Sequence, residues 1–399
     1  MINLFEGLKV IDCASFVAAP AAATLLGDFG ADVIKVEQPG SGDPWRDIHT
    51  SPGMPESVQD YPWRLESRGK RSLALDLASA EGQAVLARLL ADTDVFITNY
   101  PLRVRDKLGI DAASLRGRNE RLIYASFTGF GETGAEIHRP GFDHTAYWAR
   151  SGLMDQIRPD AGATPARGLP GMGDHPSSVT LFAAILLALR QRDQTGLGTE
   201  VGTSLLANGI WANAVYAQAA LCGATFTPRP PREQLPNPLS CYYRCRDGSW
   251  LSLNIANDAR WPAFARCIGR PELVDDPRCL TRADRCRHSA ELIALLDEVF
   301  ASRDREDWRQ RLDESGAIYE FVAQVNDVVE DRQMREIGAV VPFEDGSGLT
   351  VNNPINVAGI EKRTPRRPPA LGEHSDAILR EAGYDDAGIA ALRATGIVA

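Results

Sequence analysis

The sequence predicts an α/β protein with a large Rossmann-like domain on a mostly parallel sheet and a smaller inserted α+β domain. Three observations support this prediction. Strand-like and helix-like hydrophobic periods alternate over roughly the first 130 residues, as expected of β–α–β repeats. The chain has 399 residues, more than one core usually supports. Five prolines between residues 228 and 238 mark the edge of a domain.

The strands and helices of the large domain follow one another from the start of the chain. Residues 8–12 form the first predicted strand. The helix after it opens near Pro20, where proline suits a first turn, and ends at Gly30. A second helix is predicted over residues 80–90. The remaining predicted strands are residues 31–37, 72–75, 95–97 and 122–127.

The later part of the chain changes character twice. Residues 178–189 are strongly apolar and predict a buried helix, which a turn and a further periodic segment to about residue 221 follow. The smaller domain is predicted to hold a strand at residues 250–254 and helices near 261–268, 291–301 and 305–312, and a last helix starts at about Ser375. The predicted limits are 1–225 for the first part of the large domain, 226–325 for the small domain with its linkers, and 326–399 for the segment that returns to the large domain.

The composition excludes several function classes. A formal charge of −10 provides no general field for nucleic acid or for an anionic membrane. The most apolar stretch, residues 179–189, is too short to cross a bilayer. Seven scattered cysteines contain no C-x-x-C pair, and the six histidines are dispersed, so we expect no metal site and free thiols in a reducing compartment. These features predict a cytoplasmic protein with small-molecule partners.

The first strand–helix turn bears on the choice of cofactor. A dinucleotide-binding turn would read G-x-G-x-x-G, because glycine lets the backbone approach a pyrophosphate. This chain has the sequence AAPA at residues 18–21 instead, and it contains no P-loop pattern. The sequence therefore disfavours an enzyme that uses NAD.

Two segments place an aspartate beside glycine and histidine. Asp143 lies in residues 141–144, and Asp174 lies in residues 171–178, directly before the apolar helix. Asp174 could serve only as the N-cap of that helix. Alternatively it could be a carboxylate nucleophile, which we expect to be ionised at neutral pH without a general base. A histidine beside a turn, such as His144 or His175, is more often a structural hydrogen-bonding group.

A series of motifs spans nearly the whole chain in a fixed order. Together they resemble class III CoA-transferases, the family of formyl-CoA transferases. The matching segments are GLKVID at residues 7–12, GADVIKVE at 30–37, GSGD at 40–43, RGKRSLALD at 68–76, NYP at 99–101, GD at 173–174, TGLG at 195–198 and LGEH at 371–374.

The resemblance implies an enzyme that transfers coenzyme A between carboxylic acids through Asp174. In that family the matching aspartate attacks an acyl-CoA and forms first a mixed anhydride and then an aspartyl-CoA thioester. Asp143, Gly173 and His175 are expected to support it. The resemblance also implies that acyl-CoA is bound as a substrate by Val17, Gln38, Arg68, Lys70, Arg71, Leu73, Asn99, Tyr100, Arg105 and Lys107.

Departures from the family pattern limit the choice of substrate. Formyl-CoA transferases carry glutamine where this chain has Val17 and arginine where it has Gln38. Formate and oxalate are therefore poor candidates. Tyr147, Trp148 and Arg150 could line a pocket for a larger, less polar acid, or they could form a packed helix face.

Two alternative functions remain open. The related α-methylacyl-CoA racemases move a proton with a histidine, and the corresponding position here holds Phe142, which lacks a titratable group. A CoA-binding protein without catalysis is the second alternative. The resemblance further implies a homodimer in which two ring-shaped subunits interlock.

Overall fold

The computed structural model describes residues 3–399 and divides them into two compact units. The first unit contains residues 3–156, Arg167–Gly223 and Arg332–Ala399. The second contains Ile157–Ala166 and Ala224–Asp331. Within the described residues, no helix combines the length and the apolar character that a membrane span requires.

A six-stranded parallel sheet forms the centre of the first unit, with the strand order β3-β2-β1-β4-β5-β6. This confirms the predicted α/β class and the five predicted strands. The sixth strand, β6, lies in a segment for which no strand was predicted. It is polar and partly exposed at the edge of the sheet, so it lacks the apolar run of a buried strand. The strands are β1 (Lys9–Cys13), β2 (Asp32–Glu37), β3 (Arg71–Ala74), β4 (Val95–Thr98), β5 (Ile123–Thr128) and β6 (Glu200–Ser204).

Helices cover the sheet. α1 begins two residues before Pro20, so the proline lies in the first turn, where its missing amide hydrogen costs nothing. Its small alanines let it pack closely against the long helix at Asp174–Thr195. The helices are α1 (Ala18–Asp28), α2 (Tyr61–Glu66), α3 (Ala80–Leu90), α4 (Leu102–Leu108), α5 (Ala112–Arg116), α6 (Leu153–Gln156), α7 (Asp174–Thr195), α8 (Leu205–Ala212) and α9 (Ala214–Leu221), with a 3₁₀ turn at Ile48–Thr50 and a π-helical segment at Asp143–Ala149.

The second unit has a core of its own around a three-stranded antiparallel sheet. Alternate residues of its first two strands are buried, the pattern of a sheet with one covered face. In this core Tyr243 stacks on Phe300, and Trp308 contacts Phe300 edge-on. The elements are β7 (Ser240–Arg244), β8 (Trp250–Asn254), β9 (Tyr319–Phe321), α10 (Trp261–Cys267), α11 (Arg282–Arg287), α12 (Ser289–Phe300), α13 (Arg305–Ser315) and α14 (Val325–Glu330), with 3₁₀ turns at Arg232–Gln234, Asp258–Arg260 and Pro271–Val274.

The C-terminal segment belongs to the first unit. The amide of Ala399 donates to the carbonyl of Ala74, and Val398 forms an antiparallel bridge with Leu75 at the end of β3. Residues of the last two helices are buried with the core on that side of the sheet. The elements are α15 (Arg332–Glu336), the hairpin β10 (Val340–Pro342) and β11 (Leu349–Val351), α16 (Ser375–Glu381) and α17 (Asp386–Ala394).

Candidate active site

The strand order reverses direction between β1 and β4, and the site lies beyond the carboxyl ends of these two strands. Open parallel sheets bind ligands at such a point, because the loops that leave the two strands diverge there. Ser15 and Asn99 join the two loops. The Ser15 amide donates to Asn99 Oδ1 over 2.9 Å, and Asn99 Nδ2 donates to the Ser15 carbonyl over 2.7 Å.

Asp174 is the first residue of α7, and its side chain is half-buried. Gly173 occupies the N-cap position, and no side chain caps this helix. The interpretation of Asp174 as a mere N-cap is therefore wrong. Asp174 lies at the amino end of α7, where the helix dipole favours negative charge.

Asp143 is fixed against the turn that carries Asp174. Its Oδ2 accepts a hydrogen bond of 3.1 Å from the amide of Gly173, and its other oxygen, Oδ1, is buried without a hydrogen-bond partner. A Cβ atom at position 173 would lie under 3.0 Å from Asp143 Oδ1 and from the ring of Tyr147. Glycine at position 173 therefore leaves the space that Asp143 needs beside the turn that carries Asp174. The π-helical segment that begins with Asp143 is a geometry found frequently at functional sites.

The two carboxylates perturb each other. Withdrawal from solvent raises the pKa of Asp174 to about 7, and the negative charge of Asp143 acts in the same direction. Burial likewise raises the pKa of Asp143, against the effect of the hydrogen bond from Gly173. Asp174 is therefore harder to ionise than an ordinary aspartate, because the neighbouring acid Asp143 competes with it for ionisation.

His175 follows Asp174 and pairs with an acid that the sequence did not suggest. Its Nε2 lies 2.7 Å from Oε1 of Glu66, whose side chain is only 4% exposed. Partial burial of the imidazole alone would lower its pKa, but the hydrogen bond and charge of Glu66 raise the pKa of His175 to about 9. His175 therefore carries a positive charge at neutral pH.

Two cavities meet at Asp174. The larger has a volume of about 320 Å³ and the smaller about 180 Å³. Both are lined by Phe16, Val17, Phe142, Asp143 and Asp174. The larger cavity is also lined by Ser15, Asn99, Tyr100, Leu102, Thr128 and Arg139, and the smaller one by Trp45, His144, Trp148, Arg167, Leu169 and Pro170.

A strained turn lies at the junction of these cavities. Phe16 has a φ of 66°, a left-handed conformation that a residue with a bulky side chain rarely adopts. Its amide donates to Asp43 Oδ1, and the other carboxylate oxygen of Asp43 lies 2.7 Å from Nζ of the fully buried Lys35. The Phe16 ring packs edge-on against Phe142 and Trp45, at centroid distances of 5.4 and 6.4 Å.

The structure brings three of the expected CoA-binding residues to the larger cavity and leaves the others outside it. Val17, Asn99 and Tyr100 line that cavity. Gln38 and Lys107 lie exposed on the surface of the chain. The remaining five expected residues take part in internal contacts.

These internal contacts are specific. Arg68 is buried and forms a bidentate pair with Asp28, and Lys70 is buried between Asp12 and the Pro20 carbonyl. Leu73 is fully buried in the core. The other two are half-buried Arg71, which pairs with Asp32 and Glu381, and buried Arg105, which bonds to Glu132 and to the Tyr100 carbonyl.

The three residues expected to form an acyl pocket take different positions. Trp148 is buried and lines the smaller cavity. Tyr147 is buried beneath Gly173. Arg150 is exposed and pairs with Glu136 at 3.1 Å.

One group among the described residues has the composition of a metal site. Ligand atoms of Asp47, His49 and Asp60 lie within 4.8 Å of one another. Asp60 already has structural partners, since it accepts hydrogen bonds from the amides of Asp47 and Trp63 and caps α2. None of the three residues lines the cavities at Asp174.

Comparisons with known proteins agree on one family. A family model described as CoA-transferase family III matches residues 5–375. The chain is 32% identical to the (R)-2-hydroxy-4-methylpentanoate CoA-transferase of Clostridioides difficile, over 96% of either chain. It is 29% identical to the cinnamoyl-CoA:phenyllactate CoA-transferase of Clostridium sporogenes, covering 96% of this chain and 94% of that one. The crystal structure of a CaiB/BaiF family protein from Brucella suis superposes with a TM-score of 0.84 at 30% identity, covering 94% of this chain and 98% of that one.

Proposed function

The chain belongs to CoA-transferase family III, and from this premise we propose that it moves coenzyme A from an acyl-CoA to a free carboxylic acid through a covalent intermediate on Asp174. One observation carries the assignment of the nucleophile. Asp174 is half-buried at the amino end of α7, and it contacts both cavities at the point where they meet. A thioester in one cavity and an acid in the other would both reach the same carboxylate.

The proposed reaction has four steps, each an acyl substitution. A carboxylate oxygen of Asp174 attacks the thioester carbonyl and expels CoA thiolate, which leaves a mixed anhydride. The thiolate then attacks the aspartyl carbonyl, releases the donor acid and forms an aspartyl-CoA thioester. The acceptor carboxylate displaces the thiolate to give a second anhydride. The thiolate finally attacks the acceptor's acyl carbonyl, so that the new acyl-CoA and the free Asp174 carboxylate are regenerated.

Residues around Asp174 support these steps in separate ways. The amides at the amino end of α7 favour the negative charge that develops on the carbonyl oxygen in each substitution. Asp143 fixes the Gly173 turn through its hydrogen bond to the amide. The apolar walls formed by Phe16, Val17 and Phe142 exclude water, which would otherwise hydrolyse an anhydride.

We assign the larger cavity to the thiol-bearing arm of CoA. Val17, Asn99 and Tyr100 line it, and so does Leu102, the first residue of α4. Lys107 lies exposed on the same helix and suits a CoA phosphate. Arg68, Lys70 and Arg105 face internal partners, so we propose that they stabilise the walls of the site through these pairs.

We assign the smaller cavity to the acyl group. Trp45, Trp148 and Leu169 give it apolar walls, and its size suits a medium-sized apolar side chain. Two relatives are named for 2-hydroxy-4-methylpentanoate and phenyllactate, acids of that kind. We therefore propose a branched or aromatic monocarboxylic acid as the acceptor, rather than formate or oxalate.

Substitution of the nucleophile tests the proposed function. We expect Asp174→Ala to abolish exchange between acyl-CoA and free acids while CoA still binds, because the covalent step is lost. Exchange is measured by mass spectrometry with a panel of donors and acids, and hydroxylamine or borohydride treatment traps the aspartyl-CoA thioester on Asp174. Asp193→Asn, an exposed position on the same helix, is the matched control. Undiminished exchange in Asp174→Ala would reject the mechanism.

The same assays separate the alternative functions. A racemase would incorporate deuterium at the α-carbon of an α-methylacyl-CoA in heavy water, and Phe142 offers no base for that reaction. A non-catalytic CoA-binding protein would bind CoA but yield no trapped intermediate. We expect neither result.

We further propose a cytoplasmic homodimer. Helices α8 and α9 expose large apolar side chains, among which Trp211 is 79%, Val215 80% and Leu221 82% exposed. Apolar patches of this kind are typical of subunit contacts. The interlocked arrangement is implied by the family resemblance.

A further inference from the structure

A histidine–carboxylate pair lies next to Asp174 but outside both of the cavities that Asp174 lines. His175 and Glu66 line a third cavity of about 350 Å³, whose walls also include Thr24, Arg68 and Asn353. Asp174 is not part of those walls. A substrate in the two cavities at Asp174 would therefore not touch the imidazole of His175, so any influence of His175 on the reaction must act through Asp174.

The environment of the imidazole holds it in the charged form. Its Nε2 faces the carboxylate of Glu66 at 2.7 Å, and the hydrogen bond and charge of Glu66 raise the pKa of His175 to about 9. The carboxylate is an acceptor, so Nε2 carries the hydrogen of this bond, and the adjacent negative charge favours the imidazolium state. Glu66 is itself anchored, because its backbone carbonyl accepts a hydrogen bond from Thr24 in α1.

Without this imidazolium, the charged groups that act on Asp174 would all be negative. Three charged groups act on its carboxylate: Asp143 from the π-helical segment, Glu66 from the end of α2, and His175 from α7 itself. The first two are acids and oppose ionisation of Asp174, whereas His175 favours it. His175 is also faced by Asp174 and Glu66, and Arg68 lines the same cavity.

Building on the proposed function, we infer that His175, held charged by Glu66, is a positioning residue that maintains Asp174 as a carboxylate able to attack the thioester. Glu66 serves as the partner that keeps the imidazolium in place. The pair sets the pH range of the enzyme without contact with the substrate. Activity is lost as the pH falls through the titration of Asp174, because the protonated acid is not a nucleophile.

The inference is tested by titrating Asp174 in the His175→Gln variant, in which glutamine retains a donor toward Glu66 but no charge. Carboxyl carbons of labelled aspartates are followed by ¹³C NMR against pH, and the Asp174 signal is assigned by its absence from Asp174→Asn. We expect the titration midpoint of Asp174 to rise from about 7 by about half a unit to one unit. His288→Gln, which changes a half-buried histidine of the second unit, should leave the midpoint unchanged.

Exchange kinetics supply a second readout. In His175→Gln the rate at pH 6 should fall by about threefold to tenfold and should recover to the wild-type value above pH 9, because one pH unit corresponds to about a tenfold change in the ionised fraction. A uniform loss at every pH would show a merely structural role and overturn the inference. So would an Asp174 midpoint equal to that of the wild type.

Removal of Glu66 completes the test. In Glu66→Gln the pKa of His175 should fall below about 9. This titration can be measured even if His175→Gln does not fold. The double variant removes both charges, and its Asp174 midpoint should return toward that of the wild type. The NMR titrations do not require turnover. Full exchange in Asp174→Ala would therefore refute the nucleophile, whereas an unmoved midpoint would refute the role of His175.

Discussion

Gly173 is the residue on which the two aspartates of the site depend. The Gly173 backbone φ of −96° is open to any residue, so the requirement for glycine is a matter of space and not of backbone conformation. Asp143 and Tyr147 fill the volume that a side chain would need. An added methyl group would push the Asp143 carboxylate or the π-helical segment away from the nucleophile.

We predict that Gly173→Ala lowers the exchange rate at least about tenfold, because small displacements of catalytic groups are expensive. Overpacking should also lower the free energy of unfolding by about 1–3 kcal/mol. Gly27→Ala, within α1, is the control. The new Cβ would lie 3.4 Å from its nearest neighbour, Val33, which is an ordinary van der Waals contact distance. That variant should be active and as stable as the wild type or up to about 1 kcal/mol more stable. Exchange rates and urea unfolding check both, and an active Gly173→Ala would contradict the close packing.

Some site residues could be predicted from the sequence and others could not. A Gly-Asp pair directly before an apolar helix is a local signal, and together with the family resemblance it singled out Asp174, which lines both cavities. Glu66 is 109 positions away from His175, and nothing nearby in the sequence joins them. The basic residues Arg68 and Lys70 suggested phosphate ligands, but their acidic partners Asp28 and Asp12 are 40 and 58 positions distant.

At the scale of elements, the turn between β1 and α1 depends on a buried ion pair. A left-handed phenylalanine costs about 1–3 kcal/mol, and the hydrogen bond from the Phe16 amide to Asp43 helps to hold it. Lys35 orients Asp43 and also donates to the Ala14 carbonyl at the start of the same turn. The position of the Phe16 ring between the two cavities therefore depends on a lysine in β2.

We predict that Lys35→Met lowers the free energy of unfolding by about 3–5 kcal/mol, because it leaves the buried Asp43 without its partner. Lys9→Met removes a pair in which Lys9 is 50% and Asp92 68% exposed, and it should cost at most about 1 kcal/mol. Urea denaturation of the two variants compares these values. Equal losses would show that the Lys35–Asp43 pair does not hold the turn.

The limits of helices and strands agree with the sequence prediction where a single hydrophobic period runs through the segment. Helix α3 and strand β8 have the predicted limits, because capping and turn residues flank an unmixed pattern. Helix α7 extends from residue 174 to 195, well beyond the predicted apolar stretch, because its polar last turns contribute no apolar signal. The short strands β9 to β11 have only three residues each, too few to show a period.

At the scale of the whole molecule, alternating periods predicted a parallel sheet but could not give the order of its strands. That order depends on which faces the crossover helices cover, and packing between distant segments decides it. The return of residues 397–399 to the end of β3 is equally non-local.

We predict that the chain forms a dimer whose subunits do not separate on dilution, because interlocked rings can part only if one of them unfolds. Sedimentation equilibrium should give the mass of two chains from micromolar to nanomolar concentration. In urea, the loss of dimer mass should coincide with the loss of circular dichroism. A folded single chain at any concentration would disprove the interlocked arrangement.

The perturbed carboxylate at the amino end of α7 also links folding to proton uptake. An aspartate in an unfolded chain releases its proton near pH 3.9, whereas Asp174 in the folded chain retains it until about pH 7. Between these values folding captures a proton from the solvent at this position. The stabilisation from the protonated side chain is complete below pH 3.9 and disappears as the pH rises through 7. The rise in pH that ionises the nucleophile therefore weakens the fold around it, so ionisation of this one acid favours catalysis and lowers stability.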